Sequence, residues 1–136
     1  MKRLIAFTLV AVIAFSLAAC GSGGDVSTYG RRLDESDFYS EEEVISAMDV
    51  VEKYFKKEFR GCELKNLEFK EEKSLEAADE WAEQYNDEKA IILISEFYVD
   101  SSGGDGSFEP DSTYSNWQWI LTKSEGEDWK LQTWGY

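Results

Sequence analysis

The stretch SEEEVISAMDVVEKYFKKEFRG, residues 40–61, decides the fold. Its first four residues predict a capping box, in which the Ser40 hydroxyl accepts from the Glu43 amide and the Glu43 carboxylate accepts from the Ser40 amide. Tyr39, just before the cap, is placed to staple onto Val44. From there Val44, Ile45, Met48, Val51, Phe55 and Phe59 recur at helical spacing. Acids crowd the first turn, Lys56, Lys57 and Arg60 crowd the end, and Gly61 stops the helix. A long amphipathic helix of this kind carries an apolar stripe that the rest of the chain must cover.

The residues after Gly61 supply that cover. Cys62 to Lys70 shortens its period, with Cys62 and Leu64 on one face and Leu67 and Phe69 displaced by one residue near Asn66, which predicts a strand with a bulge. Ser74 is placed to cap a second helix with apolar positions Leu75, Ala78, Trp81, Ala82 and Tyr85, closing at Asn86. Ala90 to Asp100 reads as a strand whose first half, Ile91 to Ile94, is apolar on both faces and so needs cover on both sides. Glycines, Pro110 and acids make Ser101 to Ser112 a loop, and Tyr114 to Thr122 and Trp129 to Tyr136 are two further strands joined by a turn at 124–128. The order α-β-α-β-β-β predicts an α+β fold: a curved antiparallel sheet of about four strands wrapped around the long first helix. Such a cone has a mouth where the helix is too short to fill the sheet, and pockets form in that kind of place.

Working outward to the N-terminus, Lys2 and Arg3 precede an apolar run that ends in Leu17-Ala18-Ala19-Cys20. A basic start, an apolar stretch and small residues at the cut describe an export signal. Leu4 to Ala19 is 16 residues, short of the ~20 that a spanning helix needs. The cut falls before a cysteine, a pattern similar to the lipobox of bacterial lipoproteins, in which the cysteine thiol is acylated and becomes the first residue. This predicts residues 1–19 as a signal peptide, 20–37 as a lipidated Cys20 followed by a tether, and 38–136 as a single domain. The tether reading rests on Gly21-Ser22-Gly23-Gly24 and the few apolar side chains up to Asp37, a composition that gives a flexible reach of about 20 Å. The expected address is the outer face of the cell membrane.

The chain holds 28 acidic and 14 basic residues, and losing Lys2 and Arg3 with the signal takes the net charge from −14 to −16. Such a field argues against nucleic-acid binding and against charge-driven recruitment to anionic lipid. With Cys20 lipidated, Cys62 remains as a lone thiol, expected to be buried. There is no histidine, which removes the commonest general base and the commonest zinc ligand.

From Phe38 to Tyr136 the chain resembles a family of uncharacterised domains on lipoproteins of Gram-positive bacteria. The residues that carry the likeness are Phe59-Arg60-Gly61-Cys62, Glu80-Trp81-Ala82-Glu83-Gln84-Tyr85-Asn86, the loop Asp100 to Ser107, Tyr114 to Leu121, and Trp134-Gly135-Tyr136. The resemblance implies a cystatin-like, nuclear-transport-factor-like fold and an extracytoplasmic address, and it carries no catalytic residues across. Relatives by fold include isomerases, dehydratases and non-catalytic binding domains, so fold alone leaves function open.

Three constellations are candidates for chemistry. Trp117 and Trp119 share one face of their strand and Trp134 and Tyr136 share one face of the last. Such a ladder stacks on sugars, peptides or apolar ligands, or else simply packs the sheet. Glu96, between Ile94 and Tyr98, is the carboxylate that an apolar face could turn into a general acid or base, with Tyr98 or Tyr114 beside it; the alternative is an exposed glutamate near a strand end. Asp100, Asp105 and Asp111 offer oxygen ligands for calcium in a glycine-rich loop, but Asp105 stands where the EF-hand needs glycine, and a solvated hairpin loop is the competing reading. No cofactor is expected. The leading expectation is a non-enzymatic, membrane-anchored domain that binds a small molecule, a peptide or an envelope protein; an isomerase- or dehydratase-type enzyme using Glu96 and a protein-binding module are the alternatives.

Overall fold

The structure, a computed structural model, describes residues 23–104 and 106–136. Five strands, β1 (Gly30–Leu33), β2 (Cys62–Phe69), β3 (Lys89–Val99), β4 (Ser112–Lys123) and β5 (Lys130–Gly135), form one sheet in the order β1-β2-β3-β4-β5. Two helices, α1 (Glu41–Glu58) and α2 (Glu71–Gln84), complete the α+β fold among the described residues. Among these residues no helix is long and apolar enough to cross a membrane.

The helix read from residues 40–61 forms as expected. Ser40 caps it, with both halves of the capping box made, and Val44, Ala47, Met48, Val51 and Phe55 are its buried stripe. Ile45 departs from the expected stripe and is 37% exposed. The stripe packs on one face of the sheet, hereafter the inner face, in a single core with Leu64, Leu67, Phe69, Ile91, Leu93, Phe97, Trp119 and Leu121. Tyr39 joins that core, and its hydroxyl donates to the Ala90 carbonyl at 2.6 Å. Burial pushes its phenol up to about 12.

Bulges re-aim side chains in three strands. In β2 the register slips between Leu64 and Asn66, so that Cys62 and Leu64 before the slip and Leu67 and Phe69 after it all reach the inner core. In β4 an extra residue stands between the pairs Ser95↔Trp117 and Phe97↔Tyr114, and Asn116 there adopts φ 58°, the left-handed conformation that asparagine tolerates better than most residues. In β5 the slip lies between the partners of Ile120 and Leu121, which brings both Leu131 and Trp134 to the inner side. Bulges of this kind bend and twist a sheet.

The first half of β3 is covered on both faces, as its apolar run requires. Ile91 and Leu93 face α1, while Ala90 packs on the other side with Ala78 and Ala82 of α2. The start of α2 differs from expectation. The helix begins at Glu71 behind Lys70 with no side-chain cap, and Ser74 lies inside its first turn, fully buried, accepting from the Ile92 amide at 2.9 Å and donating to the Ile92 carbonyl at 3.2 Å. The register supplies the reason. β2 ends at Phe69, opposite Leu93, so Ile92 and Ala90 have no strand beside them on that edge, and the Ser74 and Tyr39 hydroxyls take its place.

The segment expected to be a flexible tether is part of the fold from Gly23 onward. β1 pairs in parallel with β2, Gly30 against Asn66 through Leu33 against Phe69, making a fifth strand and a mixed sheet instead of four antiparallel strands. Tyr29 donates to Glu52 at 2.6 Å, Arg31 donates to Tyr29 at 2.7 Å, and Arg31 pairs with Asp49 at 2.9 Å, which fastens the strand to α1. A four-residue strand held through Arg31 and through Leu33 packed on the core is too short to show an apolar period that a sequence reading could detect. Cys62 is buried as expected. Cys20 lies outside the described residues.

Candidate functional site

The richest concentration of rings lies where β4 and β5 pass over the C-terminal half of α1. Trp119 and Trp134 are cross-strand partners. Trp119 is fully buried and donates from Nε1 to Ser95 Oγ at 2.8 Å, so it is a core residue. Trp134 is 39% exposed, with its ring 4.8 Å from Tyr54 and 6.2 Å from Trp119. Tyr136 is 78% exposed and lies 5.3 Å from Trp117. Trp117 is half-buried against Phe97, Phe59 and Tyr114, and its Nε1 is buried without a hydrogen-bond partner. The four rings read from the sequence thus divide: Trp119 fills the core, Trp117 sits at its margin, and Trp134 and Tyr136 form a solvent-facing ledge at the outermost strand.

Two rings in this cluster escaped the sequence reading. Tyr54 precedes Phe55 on α1 and backs Trp134; burial is the main reason its phenol is raised. Phe108 sits in the middle of the loop read as solvated and packs 5.5 Å from Phe97, 5.6 Å from Phe59 and 5.2 Å from Tyr114. A single aromatic among glycines and acids gives no periodic signal. Gly103 and Gly104 make the insertion possible: both have positive φ, and a Cβ on Gly104 would meet the Phe108 ring at 2.7 Å.

The loop carboxylates are engaged locally. Asp100 Oδ1 accepts from the amide and hydroxyl of Ser102, bonds that hold its carboxyl below the usual range, and Asp111 accepts from the Tyr98 hydroxyl at 3.1 Å. Asp105 lies outside the described residues. Among the described residues no group of three or more acids or cysteines is disposed to hold a metal ion.

Glu96 is half-buried on the outer face and accepts from Ser115 Oγ at 2.9 Å. The tyrosines proposed beside it are committed elsewhere. Tyr98 donates to Asp111, and Tyr114 stacks on Phe97 on the inner face while its hydroxyl accepts from the Glu109 amide at 3.1 Å. The structure does not bring Glu96 and a tyrosine hydroxyl together.

Neither of two cavities formed by the described residues is lined by the aromatic ladder. One, of about 780 Å³, is an acidic groove beside the start of α1, lined by Asp34, Glu35, Asp37, Glu41 and Glu71 among others. The other, of about 380 Å³, lies at the opposite end of α1 beside Gly23, Gly61 and Asp100. No protein-family model, curated protein or solved structure matches this chain.

Proposed function

We propose that this chain is a lipid-anchored, extracytoplasmic domain of a Gram-positive cell envelope, held to the membrane through Cys20, that binds an extended segment of an envelope partner along the aromatic edge of β5. The anchor rests on the basic start, the apolar run and Leu17-Ala18-Ala19-Cys20. Acyl chains on that cysteine make attachment stable where a single chain is marginal. The sheet that bends around α1 through three bulged strands supports kinship with the cystatin-like cone of the family the sequence resembles.

One observation carries the binding reading. Trp134 on the outermost strand β5 and Tyr136 just past its end stand exposed, backed by Tyr54 and Trp117 respectively. Neighbouring aromatics left wet mark contact surfaces more often than they mark bare scaffold. An outermost strand also offers backbone groups to which another extended chain can pair. Binding is favoured over isomerase- or dehydratase-type catalysis because Glu96 and both candidate tyrosine hydroxyls have other partners.

Two measurements test the two halves. The intact mass of membrane-extracted protein should show residues 20–136 with a diacylglyceryl addition, and Cys20→Ala should release or stall the chain. A photo-crosslinking residue in place of Trp134, in cells, should give a discrete protein adduct that the same residue in place of Glu96 does not. Failure at position 134, with small envelope sugars quenching the wild-type tryptophans, would move the reading to a small-molecule ligand.

A further inference from the structure

Gly23 and Gly24 carry more than their composition suggests. The Gly24 amide donates to the Lys56 carbonyl at 3.0 Å at the end of α1. A Cβ on Gly23 would lie 1.8 Å from that same oxygen, and one on Gly24 would lie 2.4 Å from the Phe55 carbonyl oxygen. Asp25 then bonds β2 in both directions, its amide to the Cys62 carbonyl at 2.8 Å and its carbonyl to the Leu64 amide at 2.9 Å. The glycine pair is a close-packed saddle over the helix terminus, and the chain enters the domain at the C-terminal end of α1.

Cys20 precedes Gly23 by three residues. At ~3.3–3.6 Å per extended residue that interval spans about 10 Å at most. A lipid on Cys20 therefore holds this end of α1 at the headgroups, without the roughly 20 Å of play that a tether running to Asp37 would allow.

Charge is distributed along the same axis. α1 starts with Glu41, Glu42 and Glu43, and the acidic groove opens beside that start. Its last two turns carry Lys53, Lys56 and Lys57, all exposed and none in a salt bridge among the described residues, together with exposed Glu58 and with Glu52, which is engaged by Tyr29 and Arg31. Asp25, Glu63 and Asp100 lie near this end beside Arg60, so it is close to balanced in charge where the other end is strongly acidic. The two ends of the 18-residue helix are about 27 Å apart at ~1.5 Å per residue, more than three times the screening length of ~8 Å at physiological salt. Net charge rules out charge-driven recruitment to the membrane, but an anchor that already holds the domain leaves the charge distribution to set its orientation.

We propose that the C-terminal end of α1 is the membrane-facing surface of this domain, with Lys53, Lys56 and Lys57 resting on anionic phospholipid headgroups and the acidic groove turned away from the bilayer. The inference rests on the lipid-anchored reading above. Each lysine close to an anionic surface favours the seated orientation about fivefold, and each carboxylate carried outward avoids the same field.

The test uses the full-length, lipid-modified chain reconstituted into vesicles of phosphatidylcholine, with and without phosphatidylglycerol, carrying a headgroup-level quencher. A fluorophore is placed through Lys57→Cys or, separately, Glu42→Cys; both positions are exposed. The expected result is quenching several-fold stronger at position 57 than at 42. The contrast should be larger with phosphatidylglycerol, and high salt or the double change Lys53→Gln with Lys56→Gln should reduce it. Vesicle-bound protein with equal quenching at both positions, or stronger quenching at 42, would overturn the orientation and leave the anchor standing. A purified chain that lacks the diacylglyceryl mass and stays off the vesicles would overturn the anchored reading and the orientation with it.

Discussion

The two faces of the sheet are buried by different chemistry. On the inner face α1 is met by rings: Phe55, Phe59, Phe97 and Trp119 pack against one another at centroid distances between 4.8 and 6.4 Å. On the outer face α2 offers mostly small residues, Ala78 and Ala82 against Ala90 with Trp81 packed beside them, and a serine hydroxyl that stands in for a missing strand at Ile92. The inner face gains stability from apolar area and close packing, and the outer face from a short approach distance and one satisfied pair of backbone groups. A reading that looks for large apolar residues finds the first readily and the second poorly.

The contrast is most exposed to test on the inner side. Phe55→Ala removes a fully buried ring touching three others and should cost ~3 to 5 kcal/mol, read as a large fall in the denaturant midpoint. A cost below about 1 kcal/mol would mean that α1 is not the centre of the core. Ser74→Ala is the matching test outside. It keeps the size of the site but orphans the Ile92 amide and carbonyl, and should cost ~1 to 3 kcal/mol; an unchanged midpoint would show that another group covers that edge.

Acid should act next, through the start of α1. Burial tends to raise the Glu43 carboxyl, but hydrogen bonds from Lys89 and the Ser40 amide, with Lys123 nearby, outweigh it and hold the group below its ordinary value of 4.5. A depressed folded value means that Glu43 contributes stability above its ordinary pKa and loses it as pH falls from there through the folded value. The acid limb of a stability–pH profile should therefore flatten in Lys89→Met, and a limb of unchanged slope would remove Lys89 as the cause. The smallest effect belongs to Leu75→Ala and Ile45→Ala. Helical spacing places both in the core, yet they are 44% and 37% exposed, and each change should stay within about 0.5 kcal/mol. A loss of several kcal/mol at either would show that its face is covered.

Legibility in the sequence follows the same division. The capping box, the stripe of α1, the phase slip in β2 and the two-faced apolar run of β3 are all readable, because each imposes a period or a spacing on neighbouring residues. Residues that act singly are not. Phe108 plugs the core from within a glycine-rich loop, Ser74 reads as a helix cap because serine is commonest there, and β1 is too short and too polar for alternation to register. Gly23-Gly24 reads as slack and is the opposite, since glycine serves close approach as well as freedom. At the site, the residue types of the aromatic ladder are legible and their division is not: whether a tryptophan ends up like Trp119 or like Trp134 depends on its distance from the sheet edge, which pairing and bulges decide.

β1 lies parallel to β2, and α1 is the connection between them. When Gly30 meets Asn66 and Leu33 meets Phe69, the pairing closes a loop that contains the whole of α1. Closing a loop spends chain entropy before its contacts return any, so an α1 already docked on β2 and β3 lowers the cost of placing β1. Amide exchange at Arg31 and Arg32 should accordingly be faster than in the middle of β3, because a short strand at the sheet edge opens locally more readily than a central one.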